Sequence, residues 1–154
     1  MWNWKLMHED EENLWYCDID SIADSEEDED GLYGSVDCYR PLSRKVAVWT
    51  SIFVKNREKA RKYLEQRKQK GLSIKGYPGF NNILCVVEID LQKKQYRVIP
   101  AGDYDKAGNE LGQSTVLDDQ TEPIISGGIS CDWSPIRPRK THKAIQAILK
   151  FIQA

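Results

Sequence analysis

Two histidines, His8 and His142, are the side chains of this sequence best suited to acid–base chemistry near neutral pH. His8 stands in an acidic turn, and His142 opens a segment with the spacing of a basic helix. Nucleophilic catalysis would need a Ser or Cys partner for such a base, and neither histidine has one at a familiar family spacing. We therefore predict two exposed histidines, no catalytic residue, no cofactor and no enzymatic activity.

Four carboxylates have the spacing of some of the ligands in an EF-hand calcium loop: Asp18, Asp20, Asp24 and Glu29. The sharp turn of that loop requires Gly, but this sequence has Ala23 there. Strand-like segments, not helices, flank the window. The sequence therefore predicts a solvated run of charge and no metal site.

The cysteines are widely spaced and never form a C-x-x-C pair: Cys17, Cys38, Cys85 and Cys131. Since no His stands beside them, a zinc site is not indicated. A secreted protein could form two disulfides from them. We favour buried free thiols, which are the commoner state in a chain with an adequate core.

The charges of the chain are segregated, although its formal net charge is only −2. Residues 9–30 hold twelve of the 24 carboxylates and no Lys or Arg, whereas residues 55–70 are strongly basic. Opposed patches of this kind steer encounters between proteins. We predict a non-catalytic module that recognises a protein partner. The candidate binding residues are Glu26, Glu27 and Asp28 in the acidic loop, and Lys59, Arg61 and Lys62 in the basic segment.

Two alternative binding functions stay open. The basic segment has the charge to meet the phosphates of a nucleic acid, through Lys55, Arg57, Lys59, Arg61, Lys62, Arg67, Lys68 and Lys70. The acidic isoelectric point, near 5.7, argues against a nucleic-acid partner. The five Trp and seven Tyr residues suit either a core or a ligand groove. A small-molecule carrier would hold its ligand in a groove beneath the last helix.

Segments rich in β-branched and aromatic residues predict the strands. They are residues 14–19, 46–54, 83–89, 95–100 and 114–117, with a first strand at Trp2 and Trp4. Residues 46–54 are apolar on both faces, so this strand should be central or covered by a helix. The segments at 83–89 and 95–100 are expected to form a hairpin.

Two helices are predicted between and after these strands. Asn56 caps the first, over residues 56–70, and Gly71 ends it. Its thin apolar stripe places this helix on the surface. In residues 141–152 the apolar side chains share one face, so the C-terminal helix should dock on the sheet. Together the elements predict one α+β domain over residues 1–154, an antiparallel sheet with the C-terminal helix packed on one face and one additional surface helix.

No run of about 18 apolar residues is present, so no segment is expected to span a membrane. The N-terminal residues lack the basic and apolar regions of a signal peptide. The chain as given is therefore expected to be cytoplasmic, or exported if it is a mature fragment.

Six short motifs follow one another along most of the chain. They are Trp4 in an opening strand, W-Y-x-D-x-x-S-I at 15–22, V-x-V-W at 46–49, E-I-D leading to Y-R-V at 88–98, Y-D-x-x-G at 104–108, and W-S-P-I-x-P at 133–138. In this order they resemble the surface-adhesin protein E family. The resemblance implies a curved antiparallel sheet of about six strands with the C-terminal helix on its concave face. It also implies protein binding, because the best-described member is an adhesin for matrix and plasma proteins.

In that family a disulfide usually joins a Cys after the hairpin Asp to a Cys at the end of the last helix. Here Leu91 takes the first position, and Phe151 and Ile152 end the helix without a Cys. We hypothesise that Leu91 contacts Phe151 or Ile152 in place of the bond, since each such burial stabilises by about 1.5–3 kcal/mol. Trp49 and Trp133, which lie within the motifs, are the other expected structural residues. The basic helix resembles an insertion in the family pattern.

Overall fold

The computed structural model describes residues 1–24, 44–115, 132–138 and 142–154. These residues form one open sheet of antiparallel strands with two helices, which confirms the predicted α+β fold class. The strands are β1 (Trp4–Glu9), β2 (Asn13–Asp18), β3 (Ala23–Asp24), β4 (Lys45–Val54), β5 (Phe80–Asp90), β6 (Gln95–Asp105), β7 (Glu110–Gly112) and β8 (Ser134–Pro135). The helices are α1 (Arg57–Gln69) and α2 (Lys143–Gln153).

Strand β4 is central, as its apolar sequence predicts. The main path of the sheet runs β1-β2-β4-β5-β6-β7, while β3 pairs with β4 and β8 pairs with β6. Thr50 of β4 lies between Cys17 of β2 and Cys85 of β5, and all three are buried. Because side chains alternate along a strand, this register places every second residue of each central strand on one face.

That face carries the core, and both helices supply side chains to it. The sheet contributes Trp15, Cys17, Val48, Ile52, Ile83, Cys85, Val87, Ile89, Tyr96 and Val98, the helices contribute Ala60, Tyr63, Ala144, Ile145 and Ile148, and Val54, Tyr77 and Phe80 complete the cluster. The opposite face of the central strands alternates with this set and is only partly buried.

Helix α2 crosses the sheet from β6 to β1. At its start the ring of His142 packs edge-on to Tyr96, with ring centroids 5.6 Å apart. At its end the Lys5 ammonium of β1 lies 5.9 Å from the centroid of the Phe151 ring. Between them Ile145 and Ile148 fill the space beneath the helix. The described residues therefore have core side chains where a small-molecule carrier would need its groove.

Helix α1 begins and ends as its sequence predicts. The Asn56 side chain accepts hydrogen bonds from the backbone N–H groups of Glu58 and Lys59, which satisfies two donors of the first turn. Gly71 adopts a left-handed φ of 75°. The Leu72 N–H donates to the Arg67 carbonyl at 2.9 Å, which completes a Schellman ending that a side chain with a Cβ would strain.

Four positions differ from the sequence predictions. His8 is half-buried, not exposed, because it lies within β1 and not in the turn that follows. His142 is buried, not exposed, because its ring packs on Tyr96 and its Nδ1 accepts a hydrogen bond from the Arg137 N–H. The last edge strand is β7, and Ser114 follows it without regular structure, because pairing with β6 is available only up to Gly112. Arg67 is buried in α1, although the sequence groups it with the solvated basic residues. The predicted loop at residues 25–31 and residues 116–128 lie outside the described chain.

Leu91 and Ile152 are both half-buried, and both pack against the core cluster. Their direct contact stays a prediction. We expect Leu91→Ala to lower the free energy of unfolding by about 2 kcal/mol, because the substitution removes packed methyl groups. Denaturant unfolding measures this loss, and an unchanged midpoint would refute the packing role. A double-mutant cycle with Ile152→Ala tests the contact itself, with a coupling above about 0.5 kcal/mol expected for touching side chains.

Candidate ligand-binding groove

The face of the sheet opposite the core is aromatic. Its half-buried side chains from the central strands are Leu14, Tyr16, Trp49, Phe53, Leu84 and Val86, and we call this surface the aromatic face. Ile99 on β6 continues it and is 41% exposed. Neither described helix contributes to this face, since their buried residues belong to the core cluster. A sheet of this kind usually has one solvated face, but rarely one with so many aromatic rings.

Tryptophans from the N-terminal segment cover one end of the aromatic face. The rings of Trp2 and Trp4 stack with centroids 4.9 Å apart and planes inclined by 17°. Trp2 also meets Trp49 edge-on at 6.2 Å. Asn3 fixes this segment, because its N–H donates to the Asp18 carboxylate at 3.1 Å and its carbonyl accepts from Ile19 at 3.0 Å. Trp2 keeps half of its surface exposed.

Beside these rings lies a groove of about 290 Å³. Phe53, Asn82 and Tyr104 are neighbours on β4, β5 and β6, so they form one row across it. Ser51 and Leu84 are paired in the next row. The stacked tryptophans border the groove at the β1 end, and residues 104–108 border it at the other end.

The polar groups within the groove are mostly neutral. The Asn82 amide donates to the Ser51 hydroxyl at 3.0 Å, and the Asn81 amide donates to the Asn82 side-chain oxygen at 3.2 Å. Aromatic walls with a few placed amide and hydroxyl groups are the usual composition of a ligand site.

Among the described residues that line the groove, the charged ones stand at the β6–β7 end. Hydrogen bonds from the backbone and side chain of Asn109, and from the Ala107 N–H, hold the pKa of Asp105 below its usual value, so this carboxylate stays ionised. Lys106 follows it on the groove border. The Glu110 carboxylate lies close to Gly102 of β6, beside the groove. A Cβ atom added at Gly102 would be 3.2 Å from Oε2 of Glu110.

The structure turns much of the predicted basic surface toward the acidic β1–β2 turn. Lys59 pairs with Glu12 at 2.8 Å, and Lys55 pairs with Glu9 at 3.1 Å. Lys62 is exposed on the outer side of α1. The acidic candidates Glu26, Glu27 and Asp28 lie outside the described residues.

Three arginines of α1 are also engaged within the chain. Arg61 pairs with Glu58 one turn away at 2.6 Å. Arg57 donates to the carbonyl of Phe80 at 2.8 Å, and Arg67 donates to the carbonyls of Ser73 and Gln113 at 3.0 and 2.9 Å. The contacts of Arg57 and Arg67 attach the helix to the domain, whereas the Arg61–Glu58 pair lies within the helix. Together they reduce the positive charge available to a phosphate backbone.

A buried polar cluster lies between α1 and β6. The Asp103 carboxylate accepts hydrogen bonds from the hydroxyls of Tyr63 at 2.8 Å and Tyr77 at 2.7 Å, and the Arg67 guanidinium is 3.8 Å away. Burial raises the pKa of Asp103 above its ordinary value, and burial together with the Asp103 carboxylate raises the pKa values of both tyrosines. Asp103 and Tyr63 have no exposed surface, so this cluster joins α1 to the sheet without an opening for a substrate.

The two described cysteines are free and buried, as predicted. Burial raises the pKa of Cys17 to about 11, with a smaller opposing effect of its hydrogen bond with Thr50. Burial also raises the pKa of Cys85. Since the thiolate is the reactive form, neither residue is a competent nucleophile or metal ligand at neutral pH. Cys38 and Cys131 lie outside the described residues.

The carboxylates with EF-hand spacing do not converge within the described chain. Asp18 caps a short turn, where its side chain accepts from the N–H groups of Asn3 and Asp20. Glu29 lies outside the described residues. Across the described ranges no group of three or more His, Cys, Asp or Glu side chains is placed to hold a metal ion.

Of the two tryptophans expected to be structural, Trp49 lies on the aromatic face under Trp2. Trp133 directly precedes β8 and lies beside β6, where Lys45 and Arg97 place their cations 5.5 and 4.8 Å from its ring centroids. The sequence predictions did not identify the groove. The available signal is the alternation of Trp2 and Trp4, which by itself predicts only the first strand.

Within the part of the chain that the structure describes, neither helix is long and apolar enough to cross a membrane. Comparison of the chain with protein-family models, curated proteins and solved structures finds no match.

Proposed function

We propose that this protein is a non-catalytic binding module, and that it recognises a protein partner by holding an extended peptide segment in the groove of the aromatic face. The observation that carries the proposal is the exposed, tethered Trp2–Trp4 stack beside a row of Phe53 and Tyr104. Aromatic side chains supply large contact areas at a low cost in conformational entropy. The order of motifs that resembles the surface-adhesin protein E family is consistent with protein binding, and that kinship stays a prediction.

Nucleic-acid binding through α1 has less support. Lys55, Lys59 and Arg61 are paired with carboxylates, and Arg67 is buried. Counterion release, which drives non-specific nucleic-acid binding, requires lysines and arginines that are free to meet phosphates.

Selection from a random peptide display library tests the proposal. We expect peptides enriched on the wild-type protein to lose at least about tenfold in affinity for Trp2→Ala, because truncation of a central aromatic anchor removes 1.4 kcal/mol or more. Leu72→Ala removes an exposed apolar side chain that does not line the groove and is the matched control. Lys62→Glu tests the basic helix in the same assay.

Enriched peptides whose affinity is insensitive to Trp2→Ala would contradict the proposed site. Peptides whose affinity falls only for Lys62→Glu would show that the binding surface lies on α1. Thermal unfolding of each variant establishes that the affinities are compared between folded proteins.

A further inference from the structure

The peptide backbone beneath the groove is fully occupied by the sheet. Phe53 of β4 pairs with Leu14 of β2 on one side and with Asn82 of β5 on the other. Asn82 in turn pairs with Tyr104, which also pairs with Glu110 of β7. Since these strands have neighbours on both sides, a segment lying in the groove meets no free strand edge. Strand addition, in which backbone N–H and C=O groups of both chains alternate, is therefore excluded at this position.

Several of the groups that remain for a ligand in the groove are hydrogen-bond donors. The indole N–H groups of Trp2 and Trp4 donate only. The Ser51 hydroxyl oxygen and the Asn82 side-chain oxygen each already accept a bond within the groove, whereas the second N–H of the Asn82 amide is still to be used. Carbonyl groups of a ligand satisfy these donors.

Proline supplies such a carbonyl, and its residue carries no N–H. Proline-rich segments also adopt the polyproline II helix before binding, so little conformational entropy is lost when they dock. Their rings pack on flat aromatic side chains, and shallow grooves between aromatic rings are the known receptors for such segments. The stacked Trp2–Trp4 pair and the Phe53–Tyr104 row supply two such aromatic walls.

The charges at the β6–β7 end favour one kind of flanking residue. Asp105 is held ionised, and the exposed Glu110 lies on the neighbouring strand, while Lys106 is the one cation among the described residues on that border of the groove. The carboxylates therefore outnumber the ammonium groups at this end. A basic residue beside the prolines complements them, at a modest gain that salt screens.

We propose that the groove takes a proline-rich segment that carries an Arg or Lys at one flank and binds as a polyproline II helix. This inference rests on the proposed function, because it names the class of peptide that the groove recognises.

Binding of short synthetic peptides, measured by fluorescence anisotropy with the full chain, tests the inference. A proline-rich peptide with an Arg flank is compared with a version whose prolines are replaced by alanine, and with a version whose Arg is replaced by Glu. We expect the alanine version to bind at least about tenfold more weakly, equivalent to 1.4 kcal/mol. The Glu version is expected to bind about threefold more weakly at low salt, with a smaller difference at high salt.

Protein variants separate the two parts of the recognition. Trp2→Ala is expected to weaken the Arg-flanked peptide at least about tenfold. Glu110→Lys is expected to reverse the preference between the Arg and Glu flanks, and Leu72→Ala is expected to change neither.

Equal binding of the proline and alanine peptides would overturn the inference. So would library peptides that bind in a Trp2-dependent way but contain no proline, although the proposed function would then stand. If no peptide of any composition binds, while a neutral oligosaccharide does so in a Trp2-dependent way, the groove is a carbohydrate site and both proposals are wrong.

Discussion

Arg67→Ala is expected to lower the free energy of unfolding by about 3–5 kcal/mol, the usual loss when one partner of a buried ionic cluster is removed. The Arg67 side chain is 5% exposed, and it joins three parts of the chain. Its guanidinium donates to the carbonyls of Ser73 and Gln113 and lies 4.2 Å from the centroid of the Tyr77 ring. Alanine would leave both carbonyls without these donors and the Asp103 carboxylate without its cation.

Gly112 lies directly beside Arg67, since a Cβ atom there would be 2.9 Å from the Tyr77 hydroxyl and 3.1 Å from the Arg67 guanidinium. Because glycine has no side chain, this neighbour supplies no donor to the space that Arg67→Ala vacates. The desolvation cost of the unsatisfied groups should therefore contribute to the loss.

Chemical denaturation measures the loss, with Arg61→Ala as the matched control. Arg61 is on the same helix and pairs with Glu58, but both side chains are more than half exposed, so its removal should cost about 0–1 kcal/mol. Hydrogen exchange should accelerate in α1 before it does so in β2. A loss for Arg67→Ala no larger than that for Arg61→Ala would show that the cluster does not hold α1 on the sheet.

Ile148→Ala is expected to cost about 2–5 kcal/mol, because it opens a cavity between α2 and the sheet. Ile148 is 1% exposed and belongs to the same cluster as the central residues of β4 and β5. Ile148→Val removes one methylene group and should cost about 0.5–1.5 kcal/mol. The ratio of the two losses reports how tightly the helix is packed.

Lys150→Ala, on the exposed side of α2, is the control for Ile148→Ala. It keeps a good helix former and removes no buried contact, so the change should stay within about 0.5 kcal/mol. If Ile148→Ala is equally mild, α2 contributes little to the stability of the domain, and the packing proposed for Leu91 with the end of the helix loses its basis.

Local sequence signals predicted the elements well. Asn56 and Gly71 mark the two ends of α1, because a side-chain cap and a left-handed residue act within one turn of the chain. The apolar run of β4 indicated a central strand, since both of its faces had to be covered or partly covered. The edge strand β7 was misplaced because an edge of three residues has too short a pattern to read.

Interactions between distant segments were not predictable in the same way. Arg67 carries the charge of a surface residue, and only the approach of Ser73, Gln113 and Asp103 gives it buried partners. The sequence predicts Lys59 as a partner-binding residue, but the β1–β2 turn brings Glu12 to it. Pairings of this kind depend on which loops the sheet topology brings together.

The sequence by itself determined the fold class, the caps of α1 and the helix that docks on the sheet, because periodicity and capping depend on neighbouring residues alone. Only the tertiary structure decided which polar groups are buried and where the groove lies. The strands of the groove are paired across distant parts of the sequence, and the N-terminal Trp2 is carried over them by hydrogen bonds of Asn3. The chemistry of the groove therefore arises from long-range register, which no local pattern of residues encodes.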